Sequence, residues 1–456
     1  MKTKIEPFKI KTIEHIPITT EAERDTYLNE AFNNLFYLRS EHITIDLLTD
    51  SGTTAMSSRQ WAALMDADEA YAGSKSYYKF EDAVRNITGY KHIIPTHQGR
   101  AAERILFGII GGRGKVIPNN THFDTTRGNI EFTFSEAVDL PTAIGIQPDV
   151  AADFKGNINI DALKELIERT GREKIPICML TVTNNSGGGQ PVSMENIRQT
   201  KALLSEYGIP LYLDCCRFAE NAYFIKTLEK GFENKSILEI SREMFSYADG
   251  CTMSAKKDGL SNTGGFIGTN DDSLAEKAKT LLIVTEGFLT YGGLARRDLE
   301  ALAEGFKEVV DENYLSFRIG QVKELGDWLM QNEVPILIPT GGHAVYLDAK
   351  RFAPHIAPKY FPGQAIALEI YRKGGIRACE IGSIMFGKED EAGNHIGPPM
   401  ELVRLAVPRR VYTTNHINYV VEAISEVYQE RDKLRPMRIT WQPQFLRHFT
   451  AKFEYL

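Results

Sequence analysis

Short apolar runs alternate with segments of helical periodicity between about residues 91 and 270 of the chain. Residues 101–109 and 194–207 carry apolar side chains at the spacing of one helix face, and Ser193 is a suitable N-cap for the second segment. The apolar runs that predict buried strands are 92–96, 177–183, 211–213, 246–253 and 264–268. Such alternation predicts an α/β domain, doubly wound, with a mixed but mostly parallel sheet.

Chain length sets the domain organisation. A chain of 456 residues is too long for one ordinary hydrophobic core, so two domains are expected. We predict a large domain over residues 48–313, and a smaller α+β domain formed by residues 19–47 together with 314–456. Residues 1–18 are predicted to form an N-terminal arm.

Composition narrows the class of protein. Hydrophobic residues make up 43% of the chain and the net charge is −7, with no basic stripe, which argues against nucleic-acid binding. The five cysteines lack the spacing of a zinc site, and their odd number favours a reducing compartment. No apolar signal segment or membrane span is found, so a cytoplasmic enzyme is expected.

Polar residues follow the predicted strands. Lys257 supplies an amine, Asp214 a carboxylate, and Arg217 and Asn185 supply hydrogen-bond donors. Pyridoxal phosphate needs these groups: an amine for its aldehyde, a carboxylate for its ring nitrogen, and donors for its phenolic oxygen. The charge of Lys256 would lower the pKa of the amine beside it. Taken singly, each residue also fits a turn or a solvated surface.

A phosphate seat is predicted where the strand 92–96 meets the next helix. Gln98, Gly99 and Arg100 open that helix, and a helix N-terminus with a nearby arginine attracts phosphate. Ser254 is a candidate further donor. Phe123 is a candidate for stacking on the cofactor ring, although a phenylalanine in that position is by default part of a core.

Longer segments resemble the β-eliminating lyases, the family that includes tryptophanase and tyrosine phenol-lyase. The matching segments are 45–53, 68–73, 95–100, 189–193, 220–226, 253–257 and 409–413. The resemblance runs from about Glu6 to the C-terminus. It implies a fold-type I pyridoxal-phosphate enzyme that is activated by potassium, and a homotetramer whose active sites draw residues from two subunits.

The resemblance also implies roles for individual residues. Lys257 matches the lysine that binds the cofactor and handles the α-proton of the substrate. Arg404 matches the arginine that binds the substrate carboxylate as a bidentate fork. Thr49 and Ser51 line the same end of the site, where Asn185 also faces the substrate.

Two further groups are implied by the same resemblance. Tyr71 matches the general acid that protonates the leaving ring, and it reaches in from the neighbouring subunit together with Tyr291. Gly52, Glu69 and Asn262 match the ligands of the potassium ion, an oxygen set that suits a hard cation.

Four residues of the ring pocket resemble the tryptophan-cleaving members: Asp124, Phe288, Ile381 and His448. Ile381 cannot hydrogen-bond a phenol oxygen but offers an apolar wall for indole. Asp124 can accept the indole N–H and stabilise the charge that develops when the ring is protonated. His448 is expected to support that protonation.

We therefore predict the α,β-elimination of L-tryptophan to indole, pyruvate and ammonia. Four alternatives stay open at this point. They are tyrosine phenol-lyase activity, a cysteine-conjugate β-lyase, an aminotransferase, and a cofactor-binding scaffold without catalysis.

Overall fold

The computed structural model describes residues 5–390, 392, 394–444 and 446–456. It divides into two compact units. The large unit comprises Ser51–Gly145 and Asp153–Arg318, and the small unit comprises the residues up to Asp50, Ile146–Ala152 and Ile319–Leu456. The sequence-based boundaries at residues 47 and 313 lie a few residues away, and the excursion 146–152 had no counterpart in the sequence analysis.

The elements are numbered here in chain order. The strands are β1 Ile45–Asp46, β2 His92–Thr96, β3 Val116–Asn119, β4 Glu136–Asp139, β5 Cys178–Thr181, β6 Leu211–Asp214, β7 Gly250–Ser254, β8 Gly265–Thr269, β9 Ala344–Asp348, β10 Ile376–Arg377, β11 Cys379–Ile381, β12 Lys388–Glu389, β13 His395–Ile396, β14 Leu402–Ala406, β15 Met437–Trp441 and β16 Lys452–Tyr455. The α-helices are α1 Glu21–Glu30, α2 Ser58–Asp66, α3 Lys75–Thr88, α4 Gly99–Ile110, α5 Asp124–Phe132, α6 Ile160–Thr170, α7 Met194–Tyr207, α8 Phe218–Leu228, α9 Ile237–Ser246, α10 Asp272–Thr285, α11 Arg296–Glu308, α12 Glu312–Gln331, α13 Ala349–Phe352, α14 Pro362–Gly374, α15 Ser383–Phe386 and α16 Thr414–Gln429.

The large unit is built on a five-stranded sheet in the order β2-β8-β7-β6-β5. Strands β5, β6 and β7 are parallel, whereas β8 is antiparallel to both β7 and β2. Strand β2 therefore runs in the same direction as β5, β6 and β7. The prediction of a mixed, mostly parallel sheet is confirmed.

Successive side chains of a strand point to opposite faces of a sheet, and both faces of this sheet are buried. Met179, Tyr212 and Ile267 pack on one face in a cluster with α4 and α10. Leu180 and Leu213 pack on the other face in a cluster with α3, α7, α8, α9 and α11. Helices therefore cover the sheet on both sides, as expected for a doubly wound α/β unit.

Helix α7 begins and ends where the sequence predicts. Ser193 Oγ accepts a hydrogen bond from the Asn196 N–H at 3.0 Å. Gly208 closes the helix with φ +65°, a left-handed conformation that glycine adopts without strain. Strand β6 follows this helix directly, so the end of the helix fixes the start of the strand that ends at Asp214.

The small unit has a three-stranded antiparallel sheet in the order β11-β14-β9, with helices α14 and α16 in its core. The short pairs β1–β10 and β15–β16 complete it, and residues 5–18 contain neither helix nor strand. Within the described ranges, each helix is too short or too polar to cross a bilayer.

Candidate active site

The predicted polar residues of the large unit meet at one edge of its sheet. Strands β6 and β7 end at Asp214 and Ser254, and Gln98, which follows β2, bridges to Gly264 just before β8. The carboxyl ends of parallel strands share an edge, and open α/β sheets bind ligands there. The geometry thus brings together groups that are far apart in the sequence.

Lys257 lies in a turn that is held on two sides. The Gly52 N–H donates to the Lys256 carbonyl at 2.9 Å. The Asp258 carboxylate accepts the Ala219 N–H at 2.8 Å, which ties the turn to the first turn of α8. Lys257 itself is half-buried at the end of β7. The backbone of this turn is therefore fixed.

The first turn of α4 is shaped for an anion. Gly99 approaches the end of β7 so closely that an added Cβ would lie 2.4 Å from Ser254 Cβ, so only glycine fits. Gln98 gives the helix no side-chain cap and instead accepts the Lys256 ammonium at 3.3 Å. Lys256 and Arg100 therefore add positive charge to the N-terminus of α4, where the helix dipole also attracts an anion, so this turn is a candidate phosphate seat.

Burial, together with the charges of Lys257 and Arg100, lowers the pKa of Lys256 to about 8. A bound phosphate stabilises the charged form, so affinity should fall as pH rises above 8. We expect pyridoxine 5′-phosphate, which has no aldehyde, to bind about tenfold more weakly at pH 9.5 than at pH 7. Calorimetric titration measures this. Lys256→Gln should bind pyridoxine 5′-phosphate weakly at both pH values. If its affinity fell with pH as much as that of the parent, the assignment of Lys256 to the phosphate seat would be wrong.

Phe123 and Asp124 begin helix α5, and a charged network fixes the residue before them. The His122 ring donates through Nδ1 to Asp139 Oδ1 at 2.6 Å, and Arg127 binds the other oxygen of Asp139 at 2.6 Å. Burial lowers the pKa of His122, which keeps the ring neutral. Asp124 is buried at the helix N-terminus, where a carboxylate is favourable.

Asn185 and Arg217 are both buried beside the end of β5. The Arg217 N–H donates to the Val182 carbonyl at 3.3 Å. The Thr121 hydroxyl donates to Asn184 Oδ1 at 2.6 Å, which links the Asn185 turn to the segment that carries Phe123. The two predicted donors therefore belong to the same rigid edge.

Glu103 is a buried residue of this region that the sequence analysis missed. It lies on α4, accepts the Thr126 hydroxyl of α5, and accepts Asn129 Nδ2 at 3.3 Å. Burial, followed by the charge of Asp214, raises the pKa of Glu103 to about 7, while the Thr126 hydrogen bond and the charge of Lys257 act in the opposite direction. Glu103 is thus an electrostatic neighbour of both predicted catalytic groups and holds α5 in place.

This raised pKa predicts a pH-dependent stability. The folded state holds a proton on Glu103 that the unfolded chain releases near pH 4.3, so the stabilisation is complete below that pH and is lost as pH rises through 7. Between pH 5 and 8, the free energy of unfolding should fall by about 3 kcal/mol less in Glu103→Gln than in the parent. Denaturant titrations of the cofactor-free protein test this. Glu165→Gln, an exposed change on α6, should leave the slope unaltered, and equal slopes in both variants would contradict the prediction.

Tyr71, Phe288 and Tyr291 form an aromatic group. The Tyr71 ring centroid lies 5.5 Å from those of both Phe288 and Tyr291, and Arg296 stacks over Tyr291 at 4.3 Å. A hydrogen bond to Tyr291 raises the pKa of Tyr71, so this phenol stays protonated. The Tyr71 side chain is 65% exposed in the single chain.

The structure brings together two of the three predicted potassium ligands. Asn262 Nδ2 donates to the Gly52 carbonyl at 2.9 Å, and the Asn262 carbonyl lies 3.1 Å from the position of a Gly52 Cβ. Glu69 lies exposed between α2 and α3. Among the described residues, no cluster of three His, Cys, Asp or Glu side chains could hold a metal ion.

The remaining predicted substrate residues lie in the small unit, except Ser51, which begins the large unit. Arg404 is buried on β14, opposite Cys379 of β11, and donates to the Leu48 carbonyl at 3.0 Å. Thr49 follows Leu48 and is half-buried. This arrangement gives Arg404 a fixed direction beside Thr49.

Ile381 ends β11 in an apolar cluster that Phe36 packs against. The Phe36 ring also contacts the buried His448 ring, at 5.9 Å between centroids. Arg447, the residue before His448, donates to the carbonyls of Ile384 and Gly387, each at 2.8 Å. The C-terminal segment therefore fixes the short helix α15, which follows Ile381. Sequence reasoning missed Phe36, which carries no chemical signal of its own.

Comparison with known proteins identifies the family. The β-eliminating lyase family matches residues 46–423. Tryptophanases of Salinibacter ruber and Hyphomonas neptunium are 56% and 54% identical, over 99% and 100% of this chain and 95% and 100% of theirs. Tyrosine phenol-lyase of Symbiobacterium thermophilum is 47% identical over 98% of both chains.

A solved structure shows the fold. Serine palmitoyltransferase of Sphingomonas wittichii superimposes with a TM-score of 0.60 at 12% identity, over 91% of this chain and 97% of that one. The architecture is therefore that of the fold-type I pyridoxal-phosphate enzymes. With a family match over most of its length, the chain belongs to the β-eliminating lyases and is a lyase.

Proposed function

We propose that the chain catalyses the α,β-elimination of L-tryptophan to indole, pyruvate and ammonia, with pyridoxal phosphate as its cofactor. The residues at the sheet edge fit that cofactor. The close approach of Gly99 places the N-terminus of α4 beside Ser254, the charges of Lys257 and Arg100 act on Lys256 there, and Asp214 is a buried carboxylate. When bound, pyridoxal phosphate supplies an aldehyde that condenses with amines and a ring that accepts the electron pair freed at the substrate Cα.

The observation that carries the choice of tryptophan is the position of Asp124. It is buried at the start of α5, and its charge, like those of Asp214 and Lys257, acts on Glu103. A buried carboxylate near the reactive lysine accepts an indole N–H, whereas it would repel the developing oxyanion of phenol. The apolar surroundings of Ile381 agree with a ring that carries no hydroxyl.

The chain's own residues divide the work. Lys257 holds the cofactor and removes the substrate α-proton, and Asp214 keeps a proton on the ring nitrogen. Arg404 binds the substrate carboxylate, and the family resemblance assigns Thr49, Ser51 and Asn185 to substrate binding as well. Asp124 accepts the indole N–H. Tyr71, which the hydrogen bond to Tyr291 keeps protonated, delivers a proton to indole C3.

A substrate comparison tests the proposal. The cofactor-loaded protein is incubated separately with tryptophan, tyrosine and S-ethylcysteine, and indole, phenol and pyruvate are measured. We expect indole and pyruvate from tryptophan, and pyruvate from S-ethylcysteine. Phenol in excess of indole would identify a tyrosine phenol-lyase, and activity on S-ethylcysteine alone would identify a cysteine-conjugate lyase.

We also propose a monovalent cation site at Gly52, Asn262 and Glu69. The Asn262 carbonyl lies close to Gly52, whose N–H donates to the Lys256 carbonyl, so a cation bound there would stiffen the turn before Lys257. Replacing potassium by sodium in the substrate assay tests this. Identical rates in both salts would remove the proposal.

A homotetramer with shared active sites is proposed because Tyr71 is largely exposed in the single chain. Mixing the Tyr71→Phe and Lys257→Ala variants after partial dissociation should restore activity well above that of either alone, since hybrid sites combine both intact residues. Tryptophan turnover of the mixture measures this. No gain over the separate proteins would indicate that Tyr71 serves its own chain. A cytoplasmic location is proposed because the five cysteines form no disulfide, and cell fractionation tests it.

A further inference from the structure

The thiol of Cys216 contacts both Asp214 and Ser254, the residues at which β6 and β7 end. Its Sγ is 3.0 Å from Asp214 Oδ1, and it accepts the Ser254 N–H at 3.3 Å. Asp214 is 6% exposed, so water offers its carboxylate little solvation. A donor at one oxygen therefore matters more here than it would at the surface.

The thiol acts as the donor in this contact. Burial, followed by the charge of Asp214, raises the pKa of Cys216 far above its ordinary value. The sulfur therefore keeps its proton at neutral pH, and an ionised carboxylate can only accept. The same sulfur accepts the Ser254 N–H, and this second contact restricts the direction of the S–H bond.

The adjacent thiol provides a natural comparison. Cys215 is fully buried in the apolar cluster that includes α3, α7, α8, α9 and α11. Its thiol donates to the Thr252 carbonyl at 3.4 Å. Its hydrogen bond therefore goes to the backbone of β7. The two neighbouring cysteines have the same chemistry but different partners.

We propose that Cys216 is a positioning residue whose S–H bond orients the Asp214 carboxylate toward the cofactor's ring nitrogen. This inference rests on the proposed function for its ring-nitrogen half. The S–H donor engages Asp214 Oδ1 and so fixes the orientation in which the carboxylate can accept a hydrogen bond from the ring nitrogen. The shared proton then stays on the ring nitrogen, where it strengthens the electron sink.

The thiol contact is tested first in the cofactor-free protein by infrared spectroscopy of the S–H stretch. We expect a band displaced to low frequency that disappears in Cys216→Ser, persists in Cys215→Ser, and moves to higher frequency in Asp214→Asn. Loss of only an undisplaced band in Cys216→Ser would overturn the proposal. This measurement does not depend on cofactor binding.

The second measurement uses protein loaded with pyridoxal phosphate labelled with ¹⁵N in the ring. In Cys216→Ala the ring ¹⁵N resonance should shift toward the unprotonated position, and kcat for S-ethylcysteine should fall about fivefold with little change in KM. Cys216→Ser should recover both values because its hydroxyl also donates, and Cys215→Ala should match the parent.

The outcomes separate the two ideas. An unshifted resonance in Cys216→Ala, or equal effects in Cys215→Ala, would overturn the positioning role. Failure of the parent protein to take up the cofactor would instead overturn the proposed function and the ring-nitrogen half, while the infrared result would still decide the thiol contact.

Discussion

Lys257→Ala is expected to lower tryptophan elimination by at least about 10³-fold, because it removes both the amine that holds the cofactor and the base that takes the α-proton. Steady-state assays of indole release measure this loss. Borohydride reduction followed by peptide mapping should locate the cofactor on Lys257 in the parent and on no lysine in the variant.

Lys256, next to Lys257, provides an internal check on the Lys257→Ala experiment. Lys256 hydrogen-bonds Gln98 and lies in the phosphate seat, so it remains available in the variant as a substitute amine. Lys277→Ala, an exposed change on α10, is the control and should keep parental activity. Cofactor trapped on Lys256 with turnover retained would show that the wrong lysine was assigned.

Asp124→Thr combined with Ile381→Arg should reduce indole production by about 10²- to 10³-fold, because the double variant loses the acceptor for the indole N–H and the apolar wall. Elimination of S-ethylcysteine should stay within about threefold of the parent, since its thiolate leaves without protonation of a ring. Parallel assays of indole and pyruvate separate the two effects.

Ile381→Leu is the matched control for this pair. It keeps the volume and the apolar character of the side chain, so tryptophan turnover should change little. Equal indole production by the double variant and the parent would show that the ring pocket is assigned to the wrong residues. Equal loss on both substrates would point to a general defect of folding or cofactor binding.

The sequence located the chemistry of the sheet edge well. Asp214 and Ser254 follow apolar runs, and buried parallel strands end where such runs end, so their common edge was foreseeable. Helix α7 was equally accessible, because Ser193 and Gly208 are strong end signals. The family motifs added roles to these positions, and the family itself is confirmed.

Other features depend on tertiary packing and leave no local trace. Glu103 stands in an amphipathic helix, where a charged residue normally faces solvent, and only the packing of Thr126 and Asn129 of α5 buries it. His122 and Phe36 resemble ordinary core residues. The contact of Cys216 with Asp214 requires the turn after β6, whose geometry two adjacent cysteines do not specify.

The excursion of residues 146–152 limits how this protein can be divided. These residues count with the small unit, where the Ile338 N–H donates to the Pro148 carbonyl at 2.8 Å, although chain on either side belongs to the large unit. A gene fragment for residues 51–318 would therefore express a peptide loop stripped of its natural neighbours. Any recombination that transplants one unit into a relative must exchange this heptapeptide along with the two termini.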